Sequence, residues 1–240
     1  MRLILAATLA SCLACFLAPC GWADSQNTVV INRKERKMSI VDAAGKTLLA
    51  CPVGIGRGPL KDKVSMQDCI TPSGRFVVDV VLSENLNANQ IDAKSKASIS
   101  SANPRFAPFV RDAYALSKVF ETMNRQDFNR DGRPDHAYGY AFIGLDGKST
   151  GPKSKLIAAG PSARWYSIGL HGTAKEAKAI GANTSEGCIH VPKAVLKSLL
   201  DKHLIGVGTP VYINDGVKAG FDVKRKSSAS DNEELVRMRN

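Results

Sequence analysis

The chain predicts a mainly β, α+β domain, a β-sandwich of mixed sheets with a few short helices and one inserted helical and loop segment. Short apolar runs recur along most of its length, each bounded by Gly, Pro or Asn, the pattern of short strands joined by turns. One longer stretch carries a helical period instead. No internal repeat is present, so a repeating array is excluded.

Composition supports an ordinary folded core. Apolar residues make up 44% of the 240 positions, and 33 basic against 22 acidic residues give a net charge of +11. Residues 1–23 read as a secretory signal: Arg2 is the positive end, Leu3 to Leu17 the apolar run, and Gly21-Trp22-Ala23 a small-x-small cleavage site. The run is too short for a membrane span, and no later run is long enough. Leu17-Ala18-Pro19-Cys20 resembles a lipid-attachment site only faintly, because Pro19 precedes the cysteine. Three cysteines follow the signal: Cys51, Cys69 and Cys188. In an oxidising compartment Cys51 and Cys69 either pair or stay as two buried thiols, and pairing leaves Cys188 as the odd free thiol. A basic exported chain is drawn to anionic envelope polymers or membrane surfaces. Nucleic acid is the rival partner, but no basic–aromatic stripe or zinc spacing supports it.

The elements follow in order. Thr28–Asn32 and Lys37–Val41 read as strands around the charged turn Arg33–Arg36. Asp42–Gly45 makes the next turn, and Lys46–Val53 the third strand. Gly54, Gly56 and Gly58 crowd a loop; no helix follows, so a phosphate-binding reading is weak. Ile70-Thr-Pro-Ser-Gly-Arg-Phe76 leads into a strand ending at Leu82.

Residues 83–137 form the insertion. Glu84–Pro104 is polar and reads as a loop or lid. Arg105–Met123 carries apolar residues at Phe109, Ala113, Leu116, Phe120 and Met123, a helical period. Asp127, Asn129, Asp131 and Asp135 then place oxygens at the first, third, fifth and ninth positions of a candidate calcium loop, with Gly132 sixth. Tyr138 holds the twelfth position, where a bidentate Glu would complete an EF-hand, so any calcium would be a structural clip.

Tyr138–Leu145 is again strand-like, Lys148–Lys155 is a basic loop, and Trp165–Leu170 reads as a buried strand. Ala174–Ile180 forms about two helical turns, ended by Gly181. Pro192 opens a helix whose apolar face is Val195, Leu196, Leu199 and Leu200. His203 reads as a helix-end residue. Gly208–Ile213 is the closing strand, and residues 216–240 form a mobile charged tail.

The chemistry sits between positions 171 and 190. His171 ends an apolar strand, and Cys188 follows Ser185-Glu186-Gly187. Only a thiolate is a strong nucleophile, and a neighbouring imidazole can take its proton to leave a charged ion pair. A lone cysteine is most often a small buried hydrophobe. The glycines beside both residues favour catalysis: Gly172 and Gly187 leave space for a substrate, and the N–H groups near Gly187 and Cys188 serve as an oxyanion hole.

At these positions the sequence resembles the YkuD-type L,D-transpeptidases, cysteine enzymes that cross-link peptidoglycan. Their pattern is His-Gly at a strand end, a spacer, then Ser/Thr-His-Gly-Cys, an aliphatic residue and usually Arg. Here it reads His171-Gly172, then Ser185-Glu186-Gly187-Cys188-Ile189-His190. Thr71, Pro72, Gly74 and Phe76 match the family's first half, and the resemblance covers roughly residues 28–82 and 138–215 within a domain spanning 24–215. It implies Cys188 as nucleophile and His171 as base, with Ser185 and Gly187 shaping the loop and Gly172, Glu186 and His190 lining the substrate side. Glu186 stands where the family usually has His, and His190 where it usually has Arg. A carboxylate near Cys188 disfavours the thiolate unless it points away.

The resemblance further implies an exported, periplasmic enzyme acting on peptidoglycan stem peptides with no catalytic cofactor. The acyl acceptor is a second stem or a wall-tethered protein. Water as acceptor gives the alternative, an L,D-carboxypeptidase or endopeptidase. A non-catalytic wall-binding module is disfavoured by the His171–Cys188 pair. Papain-like enzymes, with Cys before His, and sortases, with Thr-x-Thr-Cys, do not fit.

Overall fold

The structure, a computed structural model, describes residues 27–63, 67–146 and 168–216. The signal segment with Cys20, the basic loop 148–155, Trp165–Ser167 and the chain beyond 216 lie outside the described residues.

Alternation of buried and open positions makes β1 (Thr28–Asn32) a strand with one face in the core, through Val29 and Ile31. The chain turns at Arg33–Arg36 into antiparallel β2 (Lys37–Val41), and β3 (Thr47–Pro52) pairs beyond it. Next come the short β4 (Ile55–Gly56), the long β5 (Gly74–Ser83) and the short β6 (Gln90–Ile91). After the insertion come β7 (Ala141–Asp146), β8 (Gly169–His171), the single turn α3 (Glu176–Ala179; α1 and α2 lie in the insertion), β9 (Asn183–Ser185) and β10 (Ile189–His190). A helix, α4 (Lys193–Asp201), and β11 (Pro210–Asn214) close the domain.

The strands divide into a nine-stranded mixed sheet and a two-stranded parallel pair, β4 with β9. The large sheet runs β10-β8-β7-β5-β11-β1-β2-β3, with β6 beside β5. β11, last in the chain, enters between β5 and β1, parallel to β1. Just past it, Asp215 takes both ends of the buried Arg33 guanidinium at 2.6 Å, and the same side chain donates to the Thr71 and Lys61 carbonyls. The expected charged turn therefore contains one buried charge, satisfied on every side, which locks the two ends of the domain together.

The main core lies on one face. α4 contributes Leu196, Leu199 and Leu200 to the core that also holds Ile31, Val78 and Leu170. Each such buried leucine contributes about 2 kcal/mol relative to solvent. The opposite face of β5 and β7 is covered by the insertion: Val80, Leu82 and Phe142 meet Val110, Leu116 and Phe120. A register shift between Val78 and Val80 lets β5 present apolar residues to both sides.

Within the insertion two expectations are corrected. The polar stretch read as a loop contains a helix, α1 (Ala93–Ala102), with no buried residue; Asp92 caps it by accepting from the Lys94 and Ser95 N–H groups. The stretch read as one helix over 105–123 is a 3-10 segment, Pro104–Val110, followed by α2 (Ala113–Asn124). Pro108 inside the first part has no N–H to give a helix ladder, and Asp112 starts the second by capping Ala115. Phe109 is consequently exposed.

The pairing reading for Cys51 and Cys69 is corrected too: both are free thiols, as is Cys188. Cys51 is buried, and burial pushes its thiol up to about 11.

Candidate active site

Strand register builds the site. β10 runs parallel to β8, with Ile189 opposite Leu170 and His190 opposite His171. Cys188, one residue earlier, lies against Gly169 and takes a hydrogen bond from its backbone. Side chains alternate along a strand, so Cys188, His190 and His171 share one face of two neighbouring strands. Seventeen positions apart in sequence, the nucleophile and base candidates are carried to adjoining segments of that face.

His171 is only 6% exposed, and its Nδ1 lies 2.6 Å from the Gly172 carbonyl. A nitrogen facing a carbonyl carries the proton of the neutral ring, which leaves Nε2 as the atom able to accept one. Rings enclose it. Tyr138 and His190 pack edge-on at 5.2 and 5.0 Å between centroids, and Phe142 lies tilted at 6.1 Å.

Electrostatics sets the resting state. Burial, then the neighbouring His190, pull His171 down to about 4, against main-chain contacts from Gly172 and Ala137 that favour its cation. Cys188 as a residue keeps partial contact with solvent, yet protein atoms crowd its sulfur. Desolvation pushes the thiol up to about 11, opposed by the Gly169 backbone and Lys63 and reinforced by Glu186. At neutral pH the pair is thus a neutral thiol beside a neutral imidazole. Burial weighs against the thiolate–imidazolium pair expected from the sequence, because both charges lack water.

The loop before Cys188 is held from within. Ser185 Oγ accepts from the Gly187 N–H at 3.1 Å and donates to the Cys188 carbonyl at 2.6 Å. Thr71 Oγ1 donates to the Gly187 carbonyl and accepts from the Gly56 N–H, both at 2.8 Å, and so ties the glycine loop to the cysteine loop. An oxyanion at the Gly187 N–H would compete with Ser185. The two site glycines also differ from expectation. A Cβ on Gly187, at φ +127°, would stand 2.9 Å from the Ile70 carbonyl oxygen; one on Gly172 would stand 3.0 Å from the Tyr140 nitrogen. Backbone fills both spaces, so these glycines serve close packing of main chain and open no room for substrate.

Glu186 points away from the thiol. It is exposed and pairs with Arg57 at 3.1 Å. His190 is held through its backbone to Gly54, and its Nδ1 is buried without a hydrogen-bond partner. Burial also lowers its pKa.

Sequence reasoning missed Tyr138 as a site residue, having placed it in the calcium pattern. Its signal was nearness to the strand that precedes His171. Asn124, at the end of α2, accepts from the Tyr138 N–H at 3.1 Å and donates to the Gly139 carbonyl at 2.9 Å, which docks the insertion onto the site. Beyond Tyr138 the rings continue to the exposed Phe128 at 6.4 Å.

The 127–135 loop stands apart, on the insertion. Asp127 accepts from the N–H groups of Asp131 and Gly132, and Asp135 from those of Phe128 and Asn129. The Asn129 side-chain amide lies between Asp131 and Asp135. Among the described residues no group of three His, Cys, Asp or Glu side chains is arranged to hold a metal.

Comparison with known proteins accords with this geometry. The L,D-transpeptidase catalytic domain family, YkuD, matches residues 26–213. No curated protein matches. Similar solved structures include Bd1075 of Bdellovibrio bacteriovorus, 18% identical over 89% of this chain and 56% of that one, TM-score 0.45. The L,D-transpeptidase of Xylanimonas cellulosilytica is 15% identical over 79% of this chain and 60% of that one, TM-score 0.40. The helical cell shape determining protein Pgp2 of Campylobacter jejuni is 13% identical over 82% and 50%, TM-score 0.44. The chain thus spans about half to three fifths of the length of each. With the family matched across most of its length, the chain belongs to the L,D-transpeptidase (YkuD) catalytic domain family.

Proposed function

We propose that this protein is an exported cysteine acyltransferase that performs L,D-transpeptidation on peptidoglycan stem peptides through a thioester on Cys188. The observation that supports the reading is the parallel pairing of β8 and β10, in which buried His171 lies opposite His190, two residues from Cys188. Export and a periplasmic location rest on the signal-like residues 1–23. Among the described residues no helix is long and apolar enough to cross a membrane.

The chemistry is cofactor-free. As Cys188 Sγ attacks the carbonyl of the L-centre in an L,D bond, His171 takes the thiol proton, so no free thiolate need accumulate. The tetrahedral centre collapses, the C–N bond breaks, and His171 returns the proton to the departing D-amino group. A thioester remains. The amine of a second stem, or of a wall-tethered protein, then attacks the thioester, His171 accepts its proton, and the thiol is released. Water in place of the amine gives the L,D-carboxypeptidase or endopeptidase reaction.

Intact mass of the folded protein after incubation with a carbapenem or a tetrapeptide stem tests this. An adduct that is absent in Cys188→Ala is the expected result, and an amine acceptor added to the stem reaction separates cross-linked from hydrolysed product. A folded, unmodified wild-type protein overturns the reading.

A further inference from the structure

One buried charge near the site has no part in the mechanism above. Lys63, in the loop before β5, is 5% exposed, with its ammonium 2.7 Å from Asp68. A Cβ built on Gly187 would stand 3.4 Å from Lys63 Nζ, so the ammonium packs against the residue immediately before the nucleophile. Burying an ammonium is costly even when paired, and an apolar side chain would fill the space at lower cost. The structure surrounding Cys188 offers few other sources of positive charge. His171 and His190 are both kept neutral by burial. Arg57 is exposed and occupied by Glu186, and the remaining ionisable neighbours, Tyr138, Asp68 and Glu186, are neutral or negative.

We propose that Lys63 is a positioning residue for acyl transfer: its buried ammonium, packed on Gly187 and oriented by Asp68, stabilises the negative charge that forms on the Cys188 sulfur. The proposal rests on the acyltransferase reading for its use, though the electrostatic effect exists without any substrate. Among the described residues, the charge of Lys63 opposes the rise in the Cys188 pKa that desolvation and Glu186 cause. A neutral resting thiol becomes nucleophilic more readily when the charge created during proton transfer is met by a fixed opposite charge, since little water is there to reorganise.

Alkylation of Cys188 by iodoacetamide, followed from pH 7 to 10 and assigned by peptide mass to separate it from Cys69, tests this without peptidoglycan. Lys63→Met is expected to slow alkylation about tenfold across that range, equivalent to a displacement of the profile by about one pH unit. Lys63→Arg should restore most of the rate. Asp68→Asn removes the opposing carboxylate and should move the profile the other way, and it serves if Lys63→Met fails to fold. An unshifted profile in a folded Lys63→Met protein, or in Asp68→Asn, overturns the proposal. Failure of the wild type to form a carbapenem adduct would overturn the acyltransferase reading and leave this result standing.

Discussion

On the proposed mechanism His171 sets the acid limit of acylation. Burial, helped by His190, brings its pKa from 6.5 to about 4, a shift worth about 3 kcal/mol against the buried cation. With a pKa near 4 the ring is about nine-tenths neutral at pH 5; with the ordinary value it would be only about 3% neutral. The rate of carbapenem acylation, followed by intact mass, should therefore be nearly flat from pH 8 to 5 and reach half its plateau near 4. His190→Gln removes the second-largest depressing influence and should move that limb upward. Circular dichroism at each pH separates loss of the base from loss of fold. This check matters because the unfolded histidine binds its proton below about 6.5 while the folded one does not until about 4. Stability consequently falls as pH drops through that window. A half-maximum at pH 6 to 7 in folded wild-type protein would refute the buried, neutral base.

Asp79, buried in β5, has its pKa raised from 3.8 to about 6, by burial first and then by Asp146 and Asp92. The folded state therefore binds the extra proton between those values, and stability is lost as pH rises through them, by up to about 3 kcal/mol. Asp79→Asn should raise the melting temperature by several degrees at pH 7.5 and leave it unchanged at pH 3.5; no gain at pH 7.5 would contradict the buried charge. Gly139 sits at φ +57° with its Cβ position 2.7 Å from the Thr173 nitrogen. Gly139→Ala should cost more than the 1–2 kcal/mol or so of left-handed strain alone and slow acylation by displacing Gly172 and the His171 ring it holds. Gly132→Ala, strained at φ +84° with nothing within 4 Å, is the control that should lose stability and keep its acylation rate. Equal rates in both variants would show that the close approach of Gly139 to Gly172 does not position the site. Calcium at the 127–135 loop should be weak, without a bidentate Glu at the twelfth position; a melting rise of a few degrees is expected only at millimolar calcium, with reversal by chelator. A flat titration to about 10 mM removes calcium from this loop.

Most strands were legible because each buries one face and so alternates, or lies between two buried faces and reads as an apolar run. The two-residue strands β4, β6 and β10 were not, being too short to show any period. Without register β10 also hid what it does, which is to carry His190 alongside His171. α1 was missed because helix periodicity reports burial, and α1 has no fully buried residue, only Ile99 packing partly against the second core; its cap, Asp92, was the readable sign. Tyr138 and Lys63 were missed for a related reason: neither belongs to a local motif, and each reaches the site only through packing.

The sequence by itself determined the β-rich class and the closing helix and strand, and it nominated His171 and Cys188 as the reactive candidates. Those follow from local periodicity and from reactive residue types at fixed spacing. Tertiary structure alone decided the desolvation of His171 and Cys188, the outward direction of Glu186, the packing role of Gly172 and Gly187, and the approach of Lys63. Each of these depends on desolvation or on contacts between segments far apart in the chain, and a linear sequence records neither.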